Sequence, residues 1–243
     1  MPARNRSFRI VIAMFAAALA AVSCGEKTPQ VSHAMVSAPT ESLPARFKAQ
    51  TAVPRPDFSA AAQSTAFQQA IQDARALFQS QPQPLRTESE NELVPGGVSF
   101  DVPEGKVEAV LRKAHTDFLA KGFYLFRFQQ NFKINGQPDK VGLLPTTDPY
   151  SVMAVMDTNG NNYNIGTDGV IAWMMELQQE QPFIVTGIGF DYLEGHFTGP
   201  VKDPQALAKR MYQFCPDIVD QGTGSVDDLA RELGNGNLYF WWD

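Results

Sequence analysis

The stretch that ends at Cys24 constrains this chain more than any other. Arg4, Arg6 and Arg9 stand among the first nine residues with no acid beside them, and residues 10–22 are unbroken apolar. A basic start, a short apolar core and small residues at Ala21-Val22-Ser23 form the signal of an exported chain. The core is too short to cross a bilayer, which takes about 20 apolar residues. Residues 1–23 are therefore expected to be a removable signal outside the fold. That leaves 220 of the 243 residues, enough for one sizeable domain or a domain plus a tail.

Because the signal ends on Cys24 and not on a small residue, Ala21-Val22-Ser23-Cys24 resembles the lipobox of a bacterial lipoprotein. The resemblance implies that Cys24 is lipidated and becomes the first residue of the processed chain, attached to the membrane through that lipid. Gly25, in place of Asp, resembles the sorting signal for an outer membrane, with the domain facing the periplasm. With Cys24 modified, Cys215 is the only thiol left, so no intramolecular disulfide forms and the fold rests on its core. Losing Arg4, Arg6 and Arg9 leaves 17 Lys and Arg against 26 Asp and Glu, and the formal charge moves from -6 to -9. So acidic a chain argues against a nucleic-acid partner, whose affinity comes largely from Lys and Arg on phosphates. Anchoring is left to the acyl chains.

From residue 24 to 56 the composition is rich in Ala, Pro, Ser, Thr and Gln and reads as a flexible tether. Residues 57–95 are expected to hold an amphipathic helix and a linker. Phe67, Ile71, Ala74 and Phe78 recur at helical spacing, and the helix over 57–79 is expected to dock on the main domain. The compact domain is assigned to 96–243. A helix carries Val107, Val110, Leu111, Ala114 and Phe118, an aromatic strand follows at 123–132, and Asn135-Gly136 reverses the chain. Asp148-Pro149 and Asp203-Pro204 have the cap-then-proline order of helix starts, and Ser225 with Asp228 approximates a capping box. From 141 onward the order is strand, helices, strand, strand, helices, strand. That predicts an α+β domain: an antiparallel sheet with helices packed on one face, in the split βαβ order of ferredoxin-like folds, preceded by the tether and one helix.

No catalytic constellation stands out. His33, His115 and His196 have no metal-ligand spacing, and no metal or cofactor is expected. Asp157, Asn159, Asn161 and Asp168 sit near the spacing of a calcium loop, but position six is Asn162 where the sharp turn wants Gly, so a helix-to-helix turn is the expectation. Cys215 ends a helix without a neighbouring cation and is expected in the core. The loop 215–225 concentrates Asp217, Asp220, Gln221 and Gly222 beside the final strand, where Trp242 and Asp243 stand. Together these six form the candidate binding surface, suited to a polar or cationic ligand. Asp217 and Gln221 are expected to be removable with little loss of stability. In the last strand one of the pairs Tyr239/Trp241 and Phe240/Trp242 must face the helices; the other is expected to be covered by the 57–79 helix.

The strings TNGNNYNI (158–165), GIGFDYLE (187–194), YQFCPDIVDQGTGSVDDLA (212–230) and LYFWWD (238–243) resemble the bacterial domain of unknown function 4253 family over roughly 140–243. The resemblance places Asn162, Tyr163, Asp191, Cys215, Pro216, Asp217, Gln221, Gly222, Trp241, Trp242 and Asp243 at motif positions and implies no activity. The reading that results is a lipid-anchored envelope protein acting as a non-enzymatic binding or interaction module for a protein or a small polar ligand. Two alternatives stand beside it. One is an envelope hydrolase or transferase centred on Cys215 or on Asp217 and Asp220. The other is an immunity-type protein whose acidic face neutralises a basic toxin.

Overall fold

The strand Tyr124–Gln129, labelled β3, reads YLFRFQ and is buried at every position through Phe128. A strand apolar on both sides needs cover on both, and the architecture supplies it. The computed structural model describes residues 43–48, 53–103, 105–131 and 136–243. The signal, Cys24, His33, most of the tether and Asn135 lie outside the described residues. In chain order the other strands are β1 (Gln83–Arg86), β2 (Leu93–Val102), β4 (Asp139–Leu144), β5 (Phe183–Ile188), β6 (Tyr192–Phe197) and β7 (Asn237–Trp241). They form one sheet in the order β1-β2-β4-β3-β5-β6-β7. Every pairing is antiparallel except β3 with β5.

One face carries Phe100, Val102, Leu125, Val141 and Leu143, packed under α2 (Thr65–Phe78) and α3 (Lys106–Leu119). The short α1 (Ser59–Ala62) precedes α2, whose first turn is capped by Ser64 Oγ accepting the Phe67 N–H at 3.2 Å. The opposite face carries Tyr124, Phe126, Phe128, Leu144, Leu193, Leu238 and Phe240 under α4 (Pro149–Met156), α5 (Thr167–Glu180), α6 (Pro204–Phe214) and α7 (Val226–Gly234).

The α+β class stands, with two differences in arrangement. Helices cover both faces, not one, because Leu125 and Leu143 alternate with Tyr124, Phe126 and Leu144 and give the sheet two apolar sides. The strand order also departs from the split βαβ pattern. The Asp139–Leu144 strand pairs on both sides with upstream strands, β2 and β3, so the strand after the two helices joins the sheet beyond β3. Within the stretch read as linker, Gln83–Arg86 and the start of Leu93–Val102 are strands.

The 57–79 segment docks as expected, through Phe67, Ala70, Ile71, Ala74 and Phe78, but against α3 and the β2 side of the sheet. It does not cover the last strand, where Tyr239 and Trp241 remain half-buried while Phe240 and Trp242 are inside. Residues 43–48 and 53–56, within the stretch read as tether, lie on the domain, with Phe47 buried and Arg55 paired to Glu92 and Asp157.

Candidate functional site

Four segments meet at the C-terminal end of the chain: the turn after α4, the β5–β6 hairpin, the connection between α6 and α7, and residues 241–243. The first is DTNGNNYNIG. Asp157 leaves α4 in the left-handed region, at φ 56°, which Asp tolerates better than most residues. Gly160 and Ile165 then exchange backbone hydrogen bonds of 2.8 and 3.1 Å. Thr158 Oγ1 donates to the Gly189 carbonyl at 2.7 Å and the Asn159 N–H to Phe190 O at 2.8 Å, so the turn is tied to the hairpin. Gly160 is needed there for space, since a Cβ would stand 2.7 Å from Trp242 Cδ1; the indole lies directly on the turn.

The side chains spaced like a calcium loop are used within the turn. Asp157 accepts from the Thr167 hydroxyl at 3.0 Å and pairs with Arg55 at 3.3 Å, and the Asn159 carbonyl accepts the Asn161 N–H at 3.1 Å. Among the described residues, no three His, Cys, Asp or Glu side chains converge as metal ligands. His115 is buried, with Nδ1 2.7 Å from Leu125 O, and burial lowers its pKa.

The third segment contains a π-helical turn, Ile218–Thr223, preceded by Asp217. Asp217 is 4% exposed and its carboxylate is fully engaged. Oδ1 accepts from the Tyr163 hydroxyl at 2.7 Å and from Gln221 Nε2 at 2.9 Å, and Oδ2 accepts the Asp243 N–H at 3.0 Å. Asp220 is exposed and takes the Tyr212 hydroxyl at 2.8 Å. Cys215 is fully buried. Its thiol donates to Trp241 O at 2.9 Å, and burial pushes its pKa well up. Both facts remove it from the nucleophile's role. A maleimide reagent at neutral pH should leave native Cys215 unlabelled and react promptly once urea unfolds the chain. Rapid labelling of the native protein would contradict this placement.

Between the turn, the hairpin and the C-terminus lies a cleft of ≈ 190 Å³, lined by Asn159, Asn161, Asn162, Phe190, Asp191, Trp242 and Asp243. Trp242 is held by its indole N–H, which donates to Phe214 O at 3.3 Å, and by its backbone N–H on Asp191 O at 2.9 Å. The Asp191 carboxyl is raised above its ordinary pKa, first by burial and then by the charge of Asp243. Glu88 is an exposed residue whose carboxylate accepts a backbone bond at Phe190 and lies beside Asp191. Partial loss of water and the Asp191 charge push its pKa up to about 7.

Of the candidate residues, then, Asn162, Asp191, Trp242 and Asp243 share the cleft, and Asp217, Tyr163 and Gln221 are linked to it through the Asp243 N–H. Asp220 and Gly222 are exposed, and Pro216 and Trp241 half-buried, without lining it. Sequence reasoning missed Phe190, Asn159, Asn161 and Glu88 as site residues. The two asparagines stood in the string considered as a calcium loop, Phe190 at a strand end, and Glu88 in supposed linker.

Among the described residues, no helix is long and apolar enough to cross a membrane. Comparison with curated proteins gave no match, and comparison with solved structures gave none. Residues 140–243 match the family model described as "Domain of unknown function (DUF4253)"; the chain carries a domain of that family, which runs from β4 to the C-terminus and includes every residue lining the cleft.

Proposed function

We propose that this chain is a lipid-anchored envelope protein that serves as a non-enzymatic binding module, taking a small ligand with a cationic group in the Asn159–Asp191–Trp242 cleft. The observation that carries the reading is the charge of that cleft. Asp191 and Asp243 share it, Glu88 lies beside it, and none of the three is in an ion pair with a described Lys, Arg or His. Carboxylates next to an indole and a phenyl ring suit an ammonium group. The exposed Asn161 and Asn162 add amide oxygens as acceptors. The volume is below the roughly 300–1,000 Å³ of drug-sized sites, which fits a free amine or the tip of a basic side chain.

Titration with 1,4-diaminobutane, followed by tryptophan fluorescence, tests the reading. Binding should saturate, and it should weaken as pH falls through 7, because Glu88, with its pKa pushed up to about 7, gains a proton and loses the charge that attracts the amine. Asp191→Asn should cost about ten-fold in affinity, roughly 1.4 kcal/mol, with the melting temperature unchanged. Failure of the native chain to bind any amine at pH 8 would remove the cleft from consideration. The anchor has its own test. Cys24→Ser should abolish palmitate labelling, and label retained at the level of the unaltered chain would refute lipidation at Cys24.

A further inference from the structure

Residues 43–48 sit on α5 by two separate contacts, one through Arg46 and one through Phe47. Arg46 reaches Glu176 with two hydrogen bonds of 2.9 and 3.0 Å from Nε and Nη2. Its guanidinium also lies 4.3 Å from the centre of the Phe47 ring. Phe47 closes the single 3-10 turn Ala45–Phe47 and is 3% exposed. Its carbonyl approaches Gly169 so closely that a Cβ there would be 2.0 Å from the oxygen. The α5 helix is thus shaped at one residue to receive this segment.

The Phe47 ring is the first member of a packed aromatic row. It meets Phe214 edge-on with centroids 6.2 Å apart, and Phe214 meets Trp242 edge-on at 5.5 Å. The same Phe214 provides the carbonyl that holds the Trp242 indole N–H. Phe214 also stacks on Trp173 at 4.7 Å and meets Phe240 edge-on at 5.7 Å, so of its ring neighbours only Phe47 comes from the chain before the sheet. Close-packed side chains transmit displacement because no free volume absorbs it.

We propose that residues 43–48 are a latch through which the N-terminal arm holds the cleft wall: seated, Phe47 braces Phe214 and Trp242; pulled off α5, it releases them and opens the cleft. The device rests on contacts within the domain and stands whether or not the chain is lipidated and whichever ligand the cleft takes.

Hydrogen exchange of the full chain, read by NMR at the Trp242 indole N–H and at the backbone amides of Leu111 and Ala114, tests the latch. Those amides belong to the core on the other face of the sheet. Phe47→Ala should speed exchange at the Trp242 indole by about ten-fold while Leu111 and Ala114 keep their rates, the signature of local opening. Arg46→Ala, which spares the ring, should give a smaller acceleration confined to the same proton, and the charge swap Arg46→Glu with Glu176→Arg should restore the unaltered rate. Equal acceleration in both cores, or an unchanged indole rate in both single variants, overturns the proposal. If Phe47→Ala fails to fold, the Arg46→Ala variant and its swap decide the matter alone.

Discussion

Replacing Asp217 with alanine should lower the melting temperature by about 6–12 °C, corresponding to a loss of roughly 3 kcal/mol in a domain of this size. The estimate follows from what the carboxylate holds. Three donors converge on it: the Tyr163 hydroxyl, the Gln221 amide and the Asp243 N–H. Hydrogen bonds to a charged acceptor contribute about 1.5–3 kcal/mol each, and the cost of keeping a carboxylate 4% exposed offsets part of their sum. The alanine would strand the Tyr163 hydroxyl, whose pKa is raised by burial and by its bond to Asp217 and which therefore stays a donor. It would also free the last residue from the α6–α7 connection.

Gln221→Ala should cost no more than about 1 kcal/mol, since one exposed donor is lost. Asp217→Asn should fall between the two, because its single amide oxygen replaces two acceptors and its NH₂ faces donors. Thermal melts of the three variants give the order. If Asp217→Ala melts within about 2 °C of the unaltered chain, the hydrogen-bond hub is energetically idle. Motif residues here divide by task. Asp217 and Cys215 hold the C-terminus, whereas Asp191 and Asn162 face the space that it helps to enclose.

That division marks the limit of what the sequence discloses. The helix starts are legible because a cap is a matter of four consecutive residues. Asp148 accepts the Tyr150 and Ser151 N–H groups, Asp203 accepts the Ala206 N–H, and Ser225 Oγ accepts the Asp228 N–H. The strands β5, β6 and β7 were legible for a similar reason, since alternation and flanking glycines are local signals. Sheet order was not. Nothing between Asp139 and Leu144 says that its partners are Val98–Val102 and Tyr124–Gln129 and not the strand that comes next. The asparagines of 159–162 were visible as a turn. That the turn would lie under Trp242 required Gly160 and an indole 82 positions later to meet. Asp217 illustrates the reverse error, because a polar residue in a glycine-containing loop reads as surface although two of its three donors, Tyr163 and Asp243, lie far away in the chain.

The largest single loss is expected at Arg127, a residue that periodicity alone would have placed among strand aromatics. Its guanidinium is 3% exposed on β3 and bonds Glu194 on β6, with Asp139 3.8 Å away. The two partner strands are not neighbours: β5 runs between them and carries Gly187 opposite both Arg127 and Glu194. A Cβ at Gly187 would stand 2.9 Å from Glu194 Cβ and 3.1 Å from its Oε2, so the ion pair crosses a strand only because that strand has no side chain at the crossing. Arg127→Ala would leave the buried Asp139 carboxylate without this counter-charge, and breaking a buried pair from one side costs about 3–5 kcal/mol. Glu194→Gln should cost less, about 1 kcal/mol, because its side chain is 28% exposed and retains an oxygen for Arg127. Urea unfolding of the two single variants and the double variant, with unchanged m-values, isolates the coupling. Gly187→Ala should mimic part of the loss by pushing Glu194 away while both charged residues remain. If Arg127→Ala costs under about 1 kcal/mol, water replaces the guanidinium and the cluster is not sealed. If it costs the full amount and Gly187→Ala costs nothing, the Arg127–Glu194 contact tolerates displacement and Asp139 is the partner that matters.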